Sequence, residues 1–110
     1  MRTFSPGDVV IVPFPFTDQD AAKRRPALVC SSVAFNRQAR HVVLAMITTS
    51  THSAWPGDVP IRDLDAAGLP AASVVRWKLF TLDASFVLRR AGALSARDRT
   101  ACREKQPLSI

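Results

Sequence analysis

A mainly β domain, built as a small and strongly bent antiparallel sheet or half-open barrel and capped by a C-terminal helix, is the fold the sequence predicts. Three observations carry this. Short apolar runs of strand length recur between turn signals, five to seven of them along the chain. Residues 73–83, SVVRWKLFTLD, alternate with the period of two that a strand requires. A clear helix start is found only near the C-terminal end, at Leu94, Ser95, Ala96, Arg97 and Asp98.

In chain order, Ser5, Pro6, Gly7 and Asp8 punctuate, and VVIVPFPF (9–16) reads as a first strand. Pro13 and Pro15 lie two apart, so their missing amide protons face the same way, and pairing is expected to end near Pro13. Residues 17–24, TDQDAAKR, carry both charge signs with no apolar period and read as a loop. The second strand is expected over 25–31, where Ala27, Leu28, Val29 and Cys30 leave no room for a helix. Pro26 restricts Arg25 to extended backbone and so fixes where that side chain leaves the loop. Residues 32–40, SVAFNRQAR, form a connection with a single helical turn and Phe35 tucked in. The longest apolar run, 41–49, is the expected central buried strand.

Residues 52–57, HSAWPG, read as a loop and DVPI (58–61) as a short fourth strand, followed by a turn-rich excursion over 63–70. In the alternating stretch, Val75, Trp77, Leu79 and Thr81 share one face, while Val74, Arg76, Lys78, Phe80 and Leu82 share the other. SFVLRRAG (85–92) is a last strand. Ser95 and Asp98 are spaced as a capping box, and Pro107 stops the helix after at most about three turns.

The 110 residues fit one domain, 1–110, with no repeat, linker or low-complexity tract. A 47% hydrophobic and 22% charged composition argues against wholesale disorder. Fifteen Lys and Arg against nine Asp and Glu give a formal +6, which favours a polyanionic partner without choosing among RNA, DNA, an anionic membrane and an acidic protein. Two cysteines, Cys30 and Cys102, are too few for a disulfide framework, and both are expected to be buried. No apolar run approaches a membrane span, and MRTFSPGD lacks the apolar region of a signal peptide, so a soluble, cytoplasmic protein is expected.

The side-chain inventory supplies neither metal-ligand spacing nor a Gly-rich phosphate loop, nucleophile elbow or paired-carboxylate motif, so no metal and no cofactor is expected. Chemistry done by cations and hydroxyls remains. RNA fits it best, because its own 2′-OH can be the nucleophile while the protein stabilises a pentacovalent phosphate. Lys23, Arg24 and Arg25 are either a solvated cluster beside a turn or an anion-binding group. Thr48, Thr49, Ser50 and Thr51 end the central strand either as turn starters or as phosphate ligands. Trp55 either packs under the sheet or stands as a base-stacking platform. His52 reads as a surface or hydrogen-bonded residue.

Four pieces, GDVVIVPFPFTD, RRPALVCSS, MITTS and SVVRWKLFTLD, resemble in order and spacing the MazF/PemK toxins of bacterial type II toxin–antitoxin systems, over nearly the whole chain. The resemblance implies an SH3-like β-barrel, a homodimer, and a metal-independent, sequence-selective endoribonuclease of single-stranded RNA that leaves 2′,3′-cyclic phosphate and 5′-OH ends. It also implies neutralisation by a cognate antitoxin with an acidic, disordered segment. By position, Arg25 matches the family's catalytic arginine and Thr48 the threonine that steadies the phosphate. Lys23, Arg24, Thr49, Ser50, His52, Trp55, Arg76 and Lys78 are the expected RNA-binding residues. One branch of the family has an aspartate two residues after the arginine matched by Arg76. Lys78 stands there instead, which suggests phosphate binding at that position. Two other readings are a non-catalytic toxin of the same fold, similar to the CcdB gyrase poisons, and a basic RNA-binding module.

Overall fold

The computed structural model describes residues 3–13, 23–50 and 54–108. Among them lie the strands β1 (Asp8–Pro13), β2 (Arg24–Val29), β3 (His41–Thr49), β4 (Val59–Pro60), β5 (Ser73–Asp83) and β6 (Arg89–Ala93). They form one sheet in the order β4-β5-β3-β2-β1-β6. Every neighbouring pair is antiparallel. The two ends of this order, β4 and β6, are not paired with each other among the described residues, so the barrel is half open. The helices are α1 (Val33–Ala39), α2 (Leu64–Ala67) and α3 (Ala96–Lys105).

Strand alternation splits the interior in two. Val9, Leu28, Ala45, Ile47 and Val75 pack on one face with Cys102 of α3 and Ala67 of α2. Val10, Val12, Ala27, Val29, Val42, Leu44 and Leu82 pack on the other, with Phe4 and Val87. Both faces are therefore covered, which explains why the central strand reads as an unbroken apolar run. Two register shifts bend the sheet. One falls between Val9 and Val10 opposite β6. The other falls between Ala45 and Met46, where β5 steps from Leu79 to Arg76 and leaves Trp77 and Lys78 as extra residues. An excess of two preserves the strand period, so the alternation expected for β5 survives the bulge.

Pro13 is the last residue of β1, and β6 covers only Asp8 to Ile11, so this proline occupies a locally open edge. The β2–β3 ladder likewise begins at Ala27, directly after Pro26. Residues 14–16 of the expected first strand and the loop over 17–22 lie outside the described residues.

Several expectations are corrected. The connection after β2 holds a helix of seven residues, because Ser32 is a working N-cap whose Oγ accepts from Phe35 N at 3.2 Å. Phe35 is not tucked in but is 42% exposed. The inward position of α1 belongs to Asn36, whose Nδ2 donates to the Phe4 carbonyl at 2.9 Å and whose Oδ1 accepts from Ser31 Oγ. The excursion over 63–70 contains α2, capped by Asp63 and closed by Gly68 at φ 70°. A Cβ there would stand 2.1 Å from the Ala91 carbonyl oxygen, so glycine lets α2 lie directly on β6. Strand β6 begins at Arg89, later than expected, since Ala84–Phe86 forms a 3-10 turn. Cys30 is exposed just past the end of β2, whereas Cys102 is buried as expected.

Helix α3 ends at Lys105, two residues before Pro107. Its capping box is only half made. Ser95 Oγ accepts from Asp98 N at 3.2 Å, but the Asp98 carboxylate does not return to Ser95. It is 1% exposed and accepts from the backbone amides of Arg62, at 3.1 and 3.2 Å, and Asp63, at 3.0 Å. Asp98 thus ties α3 to the segment between β4 and α2.

Candidate functional site

Three expected residues share one face of three adjacent strands. Ala27 and Val29 of β2, Val42 and Leu44 of β3, and Phe80 and Leu82 of β5 all belong to the same apolar cluster. Stepping by two along each strand brings Arg25, Thr48 and Arg76 to that face. Met46 lies opposite Arg76 and Thr48 opposite Val74. The β2–β3 ladder ends at Ala27–Met46, two residues short of Arg25 and Thr48, which the alternation of each strand puts on the same face. Arg25 and Thr48 are each half-buried, and Arg25 Nε is shielded from solvent.

Arg24 and Thr49 fall on the opposite face by the same alternation, and both are exposed, as are Lys23 and Ser50. Ser50 N donates to the Ala72 carbonyl at 3.0 Å, which ties the end of β3 to the start of β5. His52 lies outside the described residues.

Arg76 is not an exposed cation. It is 8% exposed and paired with Asp58, Nε to Oδ1 at 3.2 Å and Nη2 to Oδ2 at 2.9 Å. These hydrogen bonds hold the Asp58 carboxyl below its ordinary value of 3.8 and push the Arg76 guanidinium further up. Asp58 is the residue that sequence reasoning missed. Its signal is topological: β4 pairs Val59 with Val75, and one more step of that register faces Asp58 to Arg76.

Side chains of β5 also hold the loop before β4. Gly57 O accepts from Trp77 Nε1 at 2.8 Å, and Lys78 Nζ lies 4.5 Å from the centroid of the Trp55 ring. Residues 55–58 make a tight turn in which Asp58 N donates to Trp55 O at 3.1 Å. Pro56 and Gly57 occupy its centre, and Gly57 has the positive φ, 79°, that a type II turn needs at its third position. Asp58 Oδ2 also accepts from Trp55 N at 3.1 Å. Trp55 is 41% exposed, so it does not pack under the sheet. The bulge in β5 is what brings Trp77 and Lys78 against this loop.

A concavity lies on the other face, between the sheet and α3, with a volume of about 810 Å³. Leu28, Cys30, Trp77, Leu79 and Cys102 are among its walls, and Arg99 and Arg103 also line it. Cys30 is exposed as a residue, but its Sγ lies 3.6 Å from the Leu28 carbonyl and is desolvated, and this pushes the Cys30 thiol, like that of buried Cys102, up to about 11. Among the described residues, no group of three or more His, Cys, Asp or Glu side chains is placed to hold a metal ion. Nor is any described helix long and apolar enough to cross a membrane.

Comparison with known proteins gives a consistent picture. Residues 5–106 match the family described as PemK-like, MazF-like toxin of type II toxin-antitoxin system. No curated protein matches the chain. Among solved structures, the Mycobacterium tuberculosis toxin MazF-mt6 is 24% identical, with a TM-score of 0.71 over 89% of this chain and 90% of that one. MazF from Deinococcus radiodurans is 20% identical, with a TM-score of 0.73 over 96% and 94%. An endoribonuclease in complex with its cognate antitoxin, from a mycobacterial species, is 18% identical, with a TM-score of 0.73 over 99% and 100%. The half-barrel with its few helices is therefore the fold of MazF toxins.

Proposed function

The chain belongs to the PemK-like, MazF-like toxin family of type II toxin–antitoxin systems, and on that premise we propose that it is a sequence-selective, metal-independent endoribonuclease of single-stranded RNA. The observation that supports this reading is the strand alternation that puts Arg25 of β2 and Thr48 of β3 on one sheet face, each two residues beyond the Ala27–Met46 pair.

In the proposed reaction the ribose 2′-oxygen attacks the adjacent phosphorus. The 2′-OH loses its proton as a new O2′–P bond forms and the P–O5′ bond breaks, leaving a 2′,3′-cyclic phosphate, while the departing 5′-oxygen takes up a proton to become the 5′-OH. Arg25 offers a planar donor fork to the phosphate oxygens as negative charge builds up. Thr48 adds a neutral hydrogen bond that holds the same phosphate in register. The contribution of Arg25 is charge stabilisation, and solvent or a neighbouring group carries the proton. Exposed Lys23, Arg24 and Lys78 guide the polyanion, and Thr49 and Ser50 extend the hydroxyl edge. Arg76, neutralised by Asp58, shapes the floor of the site.

The partners proposed are a second copy of the chain and a cognate antitoxin whose acidic, disordered segment covers the basic face and competes with RNA. The solved endoribonuclease–antitoxin complex supports the antitoxin partner, and the chain's formal +6 supports its acidic character. Mapping the ends of the products tests the chemistry: cyclic phosphate and 5′-OH are expected, and a 2′-deoxy sugar at the scissile position should abolish cleavage. A 5′-phosphate end, or undiminished cleavage of the deoxy-substituted strand, would refute it.

A further inference from the structure

We propose that Asp58 is a positioning residue that holds the Trp55 indole as a stacking platform for one unpaired base of the RNA; this rests on the ribonuclease reading above. Three donors converge on this single carboxylate: Trp55 N at 3.1 Å, Arg76 Nε at 3.2 Å and Arg76 Nη2 at 2.9 Å. The first belongs to the loop and the other two to the face shared with Thr48, so Asp58 links the platform to the strand that carries the site.

The loop is held at successive points along β5. Arg76 binds Asp58, Trp77 binds the Gly57 carbonyl, and Lys78 lies over Trp55. Such a short turn, with Pro56 and a glycine of positive φ at its centre, has little freedom left. Yet the indole it carries is 41% exposed. An aromatic ring that is fixed in place, partly open to solvent and accompanied by an ammonium group matches what single-stranded nucleic acid uses. The ring stacks on a base of any identity, and the cation meets the neighbouring phosphate. Fixing the ring beforehand removes the ordering cost that a free side chain would incur on binding.

The test combines kinetics with a signal from the indole itself. Protein labelled with 5-fluorotryptophan gives two fluorine resonances, since the chain has two tryptophans, Trp55 and Trp77. In D58N the Trp55 resonance should move toward its unfolded position while that of Trp77 stays dispersed, which also reports that the variant is folded. KM for a single-stranded RNA should rise about tenfold, with kcat changed less than about threefold, and D58E should restore part of the loss. W55A, which leaves the carboxylate pair intact, should raise KM to the same degree. A non-cleavable 2′-deoxy-substituted oligomer should shift the Trp55 resonance of wild type and not of D58N. The inference is overturned if D58N leaves the Trp55 resonance unmoved, or if it lowers kcat at constant KM. A wild type that cleaves RNA while its Trp55 resonance ignores the oligomer overturns the platform alone. One that neither cleaves nor binds overturns the functional reading along with it.

Discussion

Asp58 and Arg76 face each other across the β4–β5 register and are joined by two hydrogen bonds, the shorter 2.9 Å, with both side chains largely withdrawn from solvent. Because Asp58 has a lowered pKa, the pair contributes stability that is complete above the ordinary carboxylate value of 3.8 and is lost as pH falls through the lower folded value. Thermal melts from pH 7 down to pH 2 should show wild type losing its advantage over D58N in that acid range. At pH 7 the variant should be less stable by about 2 kcal/mol, the order expected for hydrogen bonds between charged groups.

Gly57→Ala should loosen the same loop from the backbone side. A Cβ at this position would meet Trp77 Cδ1 at 3.1 Å, and the φ of 79° is one that alanine adopts only under strain. A stability loss of about 1–2 kcal/mol is expected in denaturant unfolding, together with weaker binding of single-stranded RNA.

Asp98→Ala should be the more damaging change to the fold, although it lies outside the site. It removes the acceptor for the Arg62 and Asp63 amides, while the Ser95 Oγ cap of α3, made to the backbone N–H of residue 98, stays in place. The expected cost is about 3 kcal/mol by urea unfolding, whereas a typical exposed position such as Arg97 should change stability by less than about 0.5 kcal/mol.

The thiols should be slow to react. With Cys30 and Cys102 pushed up to about 11, iodoacetamide labelling near pH 8 should run about a hundredfold slower than for an ordinary thiol. The rate should climb about tenfold per pH unit as long as the fold persists, measured by intact-mass spectrometry. Exposure of Cys30 as a residue does not make it reactive, because its thiolate would be poorly solvated.

Much of this architecture was legible in the residues, and the reason differs by element. The bounds of β3 and β5 follow from runs whose composition and alternation admit one face assignment. That alternation also carries the proposed site, since it sends Arg25 and Thr48 to one face and Arg24 and Thr49 to the other. Asp58 was hidden because its partner is set by β4, a strand of two residues too short to leave a periodic signal. Phe35 misled because a seven-residue helix can turn a polar residue inward when, as with Asn36, a backbone carbonyl is waiting for it. Asp98 matched the capping-box spacing, yet its carboxylate went to a segment 35 residues away, a choice that only the tertiary fold makes.

Arg25's proposed role, on the face it shares with Thr48, is to stabilise the phosphate during RNA cleavage. It is tested most directly by incubating wild type and Arg25→Ala with a long mixed-sequence RNA in EDTA and counting the cuts. Wild type should cleave at a restricted set of sites, and Arg25→Ala should be slower by at least about a hundredfold while keeping its fold. No cleavage by wild type, or equal cleavage by Arg25→Ala, would contradict the account.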